Sequence, residues 1–325
     1  MARDFDVLAM GRSSLDLYAH EIGVPITGVR SFDAYVGGCP TNVAVGTRRL
    51  GLRSALLTAV GDDQVGEFIC DFLRREGVDI ESTARKPGRR SSAVILTILP
   101  PDRFPLTFYR DNCADRELTI DDASRAPIAS SRLLFLTGTG LSHEPARSAT
   151  FFAAEQAAAA GAEVLVDLDY RPDQWSDPQA FGLAIRSLLG VADLAVGTEA
   201  EVRAAASTES LAAAIARLLA CGVRALVLKR GGRGSTICRP GAAAIDVPPF
   251  PVDVLNVLGA GDGFASGFIY GHLRGWTLED AARMGNATGA IVVTRHGCAN
   301  FMPTMDDVES FLFAQGGWRC PPQSV

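Results

Sequence analysis

The chain has 325 residues, of which 47% are hydrophobic and 21% charged, so it can bury a large core. We expect one domain over residues 1–325 that carries a small appendage. The formal net charge is −6 and no basic cluster is present, which gives no support to nucleic-acid binding. No apolar run approaches the roughly 18 residues of a membrane span, so no membrane partner is expected.

The N-terminus and the cysteines together predict a cytosolic protein. Arg3, Asp4 and Asp6 lie where a signal peptide would place its apolar stretch, so export is not expected. The seven cysteines are odd in number and scattered, without a C-x-x-C pair or nearby histidines. This pattern is typical of reduced thiols and argues against a zinc site.

Apolar segments alternate with amphipathic segments along most of the chain. The apolar segments predict buried strands at residues 5–10, 54–60, 132–137, 163–168, 194–196 and 225–229. The amphipathic segments predict helices at residues 64–76, 144–160 and 211–220. The alternation predicts an α/β fold with a doubly wound, mostly parallel sheet.

Three stretches break this alternation. Residues 15–32, 92–99 and 106–110 have short alternating apolar patterns joined by Gly and Pro turns, with no helix between them. They predict a small antiparallel sheet, and an exposed edge of that sheet would favour a dimer.

A glycine-rich motif near the N-terminus is a candidate sugar site. Gly37 and Gly38 let a polar ligand lie against bare backbone, and Asn42 on the following helix can offer both a donor and an acceptor to hydroxyl groups. The alternative is an ordinary connection from strand to helix, with Pro40 near the helix start.

A second motif, at residues 255–264, is a candidate phosphate site with a base. Gly259 and Gly261 allow a tight turn into an apolar helix, whose free N–H groups and positive dipole end favour an anion. A carboxylate beside a bound phosphate is unfavourable unless it has a task, so Asp262 is a candidate proton acceptor. The alternative is that Asp262 only caps the helix.

Rival nucleotide signatures are missing from the sequence. There is no G-x-x-x-x-G-K-[ST] loop, and the mid-chain stretch at residues 138–140 lacks the third glycine of a dinucleotide site. A nicotinamide enzyme is therefore weakly supported.

The two glycine motifs together resemble the signatures of the ribokinase-like (PfkB) sugar kinase family, and the likeness covers nearly the whole chain. The resemblance implies a small β lid over the sugar, at about residues 12–35 and 91–113, and ATP and Mg²⁺ as cofactors. It implies that the amides of Gly259, Ala260 and Gly261 stabilise the phosphoryl group while Asp262 accepts a proton. The implied sugar contacts are Asp16, Gly37, Gly38 and Asn42, and the implied nucleotide contacts are Lys229, Gly231, Gly234 and Asn286. The turn at residues 231–234 is equally consistent with a simple turn between strands.

Two arginines suggest that the sugar is an acid. Arg110 ends a predicted lid strand and Arg171 follows a buried strand, and an arginine can bind a carboxylate through two hydrogen bonds. A neutral sugar has no carboxylate to bind. Either residue could instead be an ordinary surface or salt-bridged arginine.

Five strings, at residues 11–18, 36–51, 104–115, 254–268 and 283–304, resemble one branch of the family, the 5-dehydro-2-deoxygluconokinases of inositol catabolism. That branch implies phosphorylation of the C6 hydroxyl of 5-dehydro-2-deoxy-D-gluconate. The alternatives are a 2-dehydro-3-deoxygluconokinase, another PfkB-family sugar kinase, or a ligand-binding regulator on the same fold. Asp262 speaks against the regulator, because binding alone gains nothing from a base.

Two positions depart from the wider family pattern. Asn256 stands where most relatives have an aspartate, which makes the usual monovalent-cation site doubtful. Residues 198–201 replace the usual N-x-x-E, and within them Glu201 is a candidate for organising Mg²⁺ through water. The alternative for Glu201 is an exposed helical glutamate.

Overall fold

The computed structural model describes residues 3–99 and 103–321. Within those residues the chain forms strands β1 Phe5–Met10, β2 Ser14–Ala19, β3 Phe32–Gly37, β4 Ser54–Leu57, β5 Ala59–Gly61, β6 Ala84–Lys86, β7 Ser92–Leu96, β8 Leu106–Tyr109, β9 Ser131–Thr137, β10 Glu163–Asp167, β11 Leu194–Thr198, β12 Ala225–Lys229, β13 Ser235–Cys238 and β14 Ile245–Val247. The α-helices are α1 Cys39–Arg49, α2 Gln64–Arg75, α3 Ile120–Arg125, α4 Ala146–Ala159, α5 Pro178–Leu189, α6 Glu199–Ala206, α7 Leu211–Leu219, α8 Ala260–Leu273, α9 Leu278–Val293 and α10 Met305–Ala314. None of these helices is long and apolar enough to cross a membrane.

The main sheet has eight strands in the order β14-β13-β12-β11-β10-β9-β1-β4. The six strands from β12 to β4 pair in parallel, and β13 and β14 add an antiparallel edge. The predicted doubly wound, mostly parallel sheet is confirmed. Because parallel strands are joined by crossover helices, the carboxyl ends of the strands meet at one edge, where ligands bind in such folds.

Helices cover both faces of this sheet, and the strand side chains alternate between them. Val7 and Ala9 of β1 belong to one buried cluster, formed with α1, α2, α8, α9 and α10. Leu8 and Met10 belong to a second buried cluster, formed with α4, α5, α6 and α7. A strand that is buried on both faces shows a continuous apolar run, and the buried run from Val7 to Met10 is why the sequence predicted β1.

A four-stranded sheet in the order β3-β2-β7-β8 forms the lid. Its outer pairs, β3 with β2 and β7 with β8, are antiparallel as predicted. The central strands β2 and β7 pair in parallel, since the main-sheet strand β4 and the helix α2 lie between them in the chain. The predicted lid boundaries include residues 100–102, which lie outside the described part of the chain.

One predicted strand divides into two. Residues 54–60 form β4 in the main sheet and then β5, which pairs with β6 in a separate two-stranded sheet. The predicted helices correspond to α2, α4 and α7 to within two residues. The prediction of one domain over the whole chain stays a prediction.

Helices α8 and α9 pack closely because glycines of α8 face α9. A Cβ atom built at Gly263 would lie 2.8 Å from Val292 Cγ2, and one built at Gly267 would lie 2.3 Å from Thr288 Oγ1. Side chains at these positions would push the helices apart. The packing therefore fixes the N-terminus of α8 relative to the sheet.

Candidate active site

Asp262 and Asn42 meet where the first turns of α8 and α1 approach each other. Asn42 Nδ2 donates to Asp262 Oδ2 at 2.6 Å. Asn42 is only 3% exposed, and within the described part of the chain its Oδ1 atom has no hydrogen-bond partner. A buried acceptor without a partner is costly, so this oxygen is suited to accept from a ligand hydroxyl.

The pKa of Asp262 is raised, which suits a proton acceptor. Burial is the main cause, and the negative charge of Asp169 adds to it. Hydrogen bonds from Asn42 and Cys39 act in the opposite direction. A carboxylate with a raised pKa is a stronger base than an exposed aspartate.

The start of α8 forms an anion site. Gly259, the residue before the helix, has φ +82°, a conformation that favours glycine, and the helix begins at Ala260. Lys229 Nζ lies 3.1 Å from a Cβ atom built at Gly261, so the ammonium group is adjacent to the first helical turn. Free amides, the helix dipole and a lysine together favour phosphate.

Lys229 is held there by a buried ion pair. Its Nζ lies 2.7 Å from Asp167 Oδ2 and 3.0 Å from Oδ1. Burial opposes the charge on Lys229, but Asp167 and Glu201 outweigh it and raise the pKa of the ammonium group. Burial raises the pKa of Asp167 to about 7 against the opposing charge of Lys229.

Asp16 lies on the lid strand β2 and faces the glycine pair. Its Oδ1 atom accepts from Ser14 Oγ at 2.6 Å, and its Oδ2 atom accepts from Cys298 Sγ at 3.1 Å. A Cβ atom built at Gly37 would lie 2.0 Å from Asp16 Oδ2, so only glycine fits beside this carboxylate. Burial raises the pKa of Asp16, with Arg12 opposing the rise.

Gly38 brings the loop that follows β1 to the start of α1. Gly38 has φ +105°, and a Cβ atom built on it would lie 2.2 Å from the carbonyl oxygen of Arg12. The same carbonyl accepts from Thr41 Oγ1 at 3.2 Å. The predicted sugar contacts Asp16, Gly37, Gly38 and Asn42 are thus brought together with Asp262.

Arg110 is buried, and its guanidinium is already bonded to the protein. Its Nε donates to Asp115 Oδ2 at 2.7 Å, and its Nη2 lies 2.6 Å from the same oxygen. Its Nη1 donates to Gln174 Oε1, and both Nη atoms face the carbonyl oxygen of Thr139 at 3.4 Å. The contact of Arg110 with a substrate carboxylate stays a prediction, and it would require these bonds to change.

Arg171 lies beside the site and pairs with Asp169. Its Nε donates to Asp169 Oδ1 at 2.9 Å, while Asp169 Oδ2 accepts from Thr139 Oγ1 at 3.1 Å. Burial would raise the pKa of Asp169, but the charges of Arg171, Arg12 and Lys229 outweigh it and lower the pKa. The Arg171 side chain is 42% exposed, so it retains access to solvent or a ligand.

The residues predicted to contact the nucleotide lie near one another around the turn that follows β12. A short 3₁₀ helix at Gly231–Arg233 follows β12. A Cβ atom built at Gly234 would lie 2.2 Å from the carbonyl oxygen of Val247, and Asn286 Nδ2 donates to that oxygen at 3.2 Å. Gly234 and Asn286 are therefore neighbours in space, and Lys229 precedes the same turn.

Glu201 has a structural contact and an electrostatic one. Its Oε2 accepts from the backbone N–H of Thr198 at 2.7 Å, which completes a capping box at the start of α6. Its charge also reaches Asp167 and Lys229, which places it close to the anion site. Within the described residues no group of three or more His, Cys, Asp or Glu side chains could hold a metal ion. Mg²⁺ in nucleotide sites usually keeps several water ligands.

Asn256 is fully buried, and protein partners satisfy its side chain. Its Nδ2 donates to the carbonyl oxygen of His296 at 2.8 Å, and its Oδ1 accepts from the N–H of Leu258 at 3.0 Å. The neutral amide offers a cation no charge. The expectation of a doubtful monovalent-cation site stays a prediction.

Four site residues were missed from the sequence: Arg12, Asp167, Asp169 and Cys298. A signal existed for three of them, because Arg12, Asp167 and Asp169 lie at or just beyond the carboxyl ends of buried strands, where ligand contacts collect. Nothing in the sequence placed Cys298 against Asp16, since the two are 282 residues apart.

This combination of an α/β sheet, a lid and an anion site with a carboxylate defines a phosphotransferase acting on an alcohol group. The sequence profile of the pfkB family carbohydrate kinases matches residues 4–305, and the chain belongs to that family.

Two relatives from different bacteria carry the same name. The chain is 34% identical over 316 residues to a 5-dehydro-2-deoxygluconokinase of Shouchella clausii, covering 96% of this chain and 97% of the relative. It is 32% identical over 317 residues to a protein of the same name from Bacillus subtilis, with the same coverage.

Solved structures share the fold. A fructokinase from Vibrio cholerae, solved with fructose, ADP and calcium ion, superposes with a TM-score of 0.84 at 26% identity, covering 94% of this chain and 98% of that one. A putative ribokinase II from E. coli, solved with ATP and Mg²⁺, superposes with a TM-score of 0.87 at 23% identity, covering 97% and 100%.

The hydrogen bond from Asn42 predicts how activity depends on pH. Asp262 acts as a base only when ionised, so the rate should fall as pH drops through its pKa, which lies above that of an exposed aspartate. Because the Asn42 hydrogen bond lowers this pKa, Asn42→Ala should move the acidic limb of the kcat/KM profile for the sugar to higher pH. Asn300→Ala, which removes an amide that bonds to Val36 instead, should leave the limb in place. An unshifted limb in Asn42→Ala would show that Asp262 is not the titrating group.

Proposed function

We propose that this protein is an ATP-dependent sugar-acid kinase that phosphorylates the C6 hydroxyl of 5-dehydro-2-deoxy-D-gluconate in myo-inositol catabolism in the cytosol. The observation that carries the proposal is the Asp262 carboxylate, held by Asn42 in the first turn of α8 and next to an anion site. The names of the relatives support the substrate. All seven cysteines are free thiols, which agrees with a reducing compartment.

The chemistry is a direct transfer between two oxygens. Asp262 accepts the proton of the C6 hydroxyl while that oxygen forms a bond to the γ-phosphorus, and the bond from the γ-phosphorus to ADP breaks. The amides of Gly259, Ala260 and Gly261 and the ammonium of Lys229 face the negative charge that develops on the phosphoryl oxygens. The Ala260 N–H donates to the carbonyl oxygen of Val257 at 3.2 Å, so it would have to exchange this partner for the phosphate. Mg²⁺, when bound, supplies further neutralisation of the β and γ oxygens.

The remaining residues hold the two substrates. We propose that Asp16, Gly37, Gly38 and Asn42 bind the sugar hydroxyls. Arg171 and Arg110 lie on the side of its acid end, where Arg110 shapes the wall of the pocket through its bonds to Asp115, Gln174 and Thr139. Gly231, Gly234 and Asn286 line the nucleotide side with Lys229. Lid closure excludes water, which otherwise competes with the sugar as acceptor.

Glu201 fits a role in organising the water shell of Mg²⁺. Its carboxylate lies within electrostatic reach of Lys229 and Asp167 beside the anion site, and no cluster of direct ligands exists among the described residues. A hydrated ion held by carboxylates through water is the usual arrangement for Mg²⁺ with a nucleotide. Because the Asn256 amide offers a cation no charge, the monovalent-cation site that is usual in the family stays doubtful in this proposal.

The lid also supplies a surface for a second copy of the chain. Strands β3 and β8 are its two edges, and the apolar side chains Phe32 and Tyr109 on them are 39% and 57% exposed. Exposed strand edges with apolar side chains favour pairing. We propose a homodimer that forms through the lid.

Asp262→Asn tests the base. The variant keeps the shape of the side chain but cannot accept the proton, so turnover should fall on the order of a hundredfold or more while ATP binding is retained. ADP release is measured with 5-dehydro-2-deoxygluconate, 2-dehydro-3-deoxygluconate and a neutral ketohexose. Near-normal turnover in the variant would remove Asp262 from the mechanism, and a preference of the wild type for either other sugar would reassign the substrate.

Glu201→Gln tests the metal role without losing the helix cap, because glutamine also completes a capping box. Removing the charge should raise the Mg²⁺ concentration for half-maximal rate by about tenfold or more, with a smaller change in the sugar KM. A Mg²⁺ titration at saturating ATP and sugar measures this. An unchanged titration would leave Glu201 as a capping residue only.

Light scattering after gel filtration tests the dimer. The wild type should elute with twice the mass of one chain. Phe32→Lys should shift the population toward the monomer, because a charge on an edge strand opposes pairing. A wild type that is monomeric at micromolar concentration contradicts the proposal.

A further inference from the structure

The sugar side of the active site is rich in carboxylates. Asp16, Asp169 and Asp262 all face it, and the charge of Asp262 raises the pKa of Asp16, so the two lie within electrostatic reach of each other. A substrate that is itself an anion would be repelled from this region. Binding an acid there requires a cation whose charge is not already used by the protein.

Three of the cations near the site are already paired. Lys229 lies 2.7 Å from Asp167, Arg110 lies 2.6 Å from Asp115, and Arg171 lies 2.9 Å from Asp169. Each pair is roughly neutral as a unit. Withdrawing one of these cations to bind a substrate would leave a partly or fully buried carboxylate unpaired, which is costly.

Arg12 differs from these residues, because no carboxylate of the described chain forms an ion pair with it. Its side chain is partly buried, and its Nη1 donates to Ser92 Oγ at the long distance of 3.4 Å. The guanidinium lies over the ring of Phe108, with Cζ 5.3 Å from the ring centroid. Most of its N–H donors therefore remain available to a ligand.

The backbone of Arg12 is fixed against the sugar-binding loop. Its carbonyl oxygen accepts from Thr41 Oγ1 and lies against Gly38, as described above. Its side chain extends toward Ser92 on β7 and Phe108 on β8, both strands of the lid. Its charge opposes the rise in the pKa of Asp16 that burial causes and contributes to the lowered pKa of Asp169, so it lies within electrostatic reach of both carboxylates.

We propose that Arg12 is the specificity-determining residue that binds the carboxylate of an acid substrate. The inference rests on the proposed sugar-acid kinase function and identifies the cation that makes it possible. The Phe108 ring covers one face of the guanidinium, and its N–H groups, which lie in the guanidinium plane, are left to form charge-assisted hydrogen bonds at the edge. Arg110, with its donors bonded to Asp115, Gln174 and Thr139, supports the structure around the lid.

The test compares an acid with its neutral analogue. The kcat/KM is measured for 5-dehydro-2-deoxygluconate and for the analogue whose carboxylate is replaced by a hydroxymethyl group. Arg12→Gln should lower kcat/KM for the acid by about tenfold to a hundredfold and change that for the analogue by less than about threefold. Arg12→Lys keeps the charge but loses the planar pair of donors, so it should fall between wild type and Arg12→Gln.

Two further variants serve as controls, one for the loss of a positive charge in the lid and one for the loss of a structural arginine. Arg30→Gln removes the same charge from an exposed lid position and should leave both kcat/KM values unchanged. Arg110→Gln should lower the melting temperature and keep the wild-type ratio of acid to analogue. Melting temperature and ATP affinity are measured for every variant, so that misfolding of Arg12→Gln would be visible. In that case Arg12→Lys is the variant that is compared with the wild type.

The outcomes distinguish a failure of the proposed function from a failure of the role of Arg12. A wild type that does not prefer the acid overturns both the proposed function and the role of Arg12. A wild type that prefers the acid, combined with an Arg12→Gln variant that loses both activities equally or neither, overturns only the role of Arg12. A selective loss of the acid in Arg110→Gln, with Arg12→Gln unaffected, would move the carboxylate contact to Arg110.

Discussion

The hydrogen bond between Asn42 and Asp262 is the interaction on which the rest of the active site depends. It joins the first turns of two helices whose residues are 220 positions apart in the chain. The glycine pair that we propose for the sugar immediately precedes α1, and the amides that we propose for the phosphate lie at the start of α8. The two helices can approach this closely because Gly46 lies opposite Ser266, where a Cβ atom would come within 2.3 Å of the serine hydroxyl. The distance between hydroxyl acceptor and phosphoryl donor is thus set by helix packing and not by loops.

The segment after α9 extends this connection to the lid. The carbonyl oxygen of His296 accepts a hydrogen bond from Asn256, which lies in the loop before α8. The imidazole ring of His296 contacts the hydroxyl of Tyr35 on β3. Two residues later, Cys298 donates to Asp16 on β2, and Tyr18 bonds to the same thiol at 2.6 Å. A movement of the lid therefore changes contacts that also position the phosphate loop. Substrate binding and alignment of the anion site are coupled through one short segment.

The sequence predicted those parts of the fold whose signal is local. The apolar run from Val7 to Met10 predicted strand β1, and the glycine and aspartate motifs marked the two helix starts. The break between β4 and β5 was not predictable, because both pieces are equally apolar and only the pairing partner differs. The parallel pairing of β2 with β7 depends on the chain between them and has no local signature.

Side-chain pairing was the least predictable property of the candidate site. Arg110 and Asp115 stand five residues apart in one string, and nothing in that string shows that they turn toward each other and away from solvent. For Arg12 the reverse holds. Little in the sequence singles out a lone arginine after a strand, and only its tertiary neighbours show that it is a candidate ligand contact. A guanidinium's role follows from which carboxylates reach it, and that information is tertiary.

The buried Lys229–Asp167 pair shows how the fold prepares a charge for a ligand. An isolated ammonium in this position would be costly because it is removed from water, and Asp167 offsets that cost before any nucleotide binds. The lysine is therefore held beside the amides of α8 in advance, with no reorganisation left for the moment of reaction. Phosphate oxygens arriving at α8 can share the ammonium's three donors without displacing Asp167, because two of those donors at most face its carboxylate. Fixed dipoles and a fixed cation stabilise the developing charge better than water does, since water must reorient. In the mechanism that we propose, in which Asp262 is the base and the lid excludes solvent, this preorganisation is the main contribution that the protein makes to a transfer with little covalent chemistry of its own.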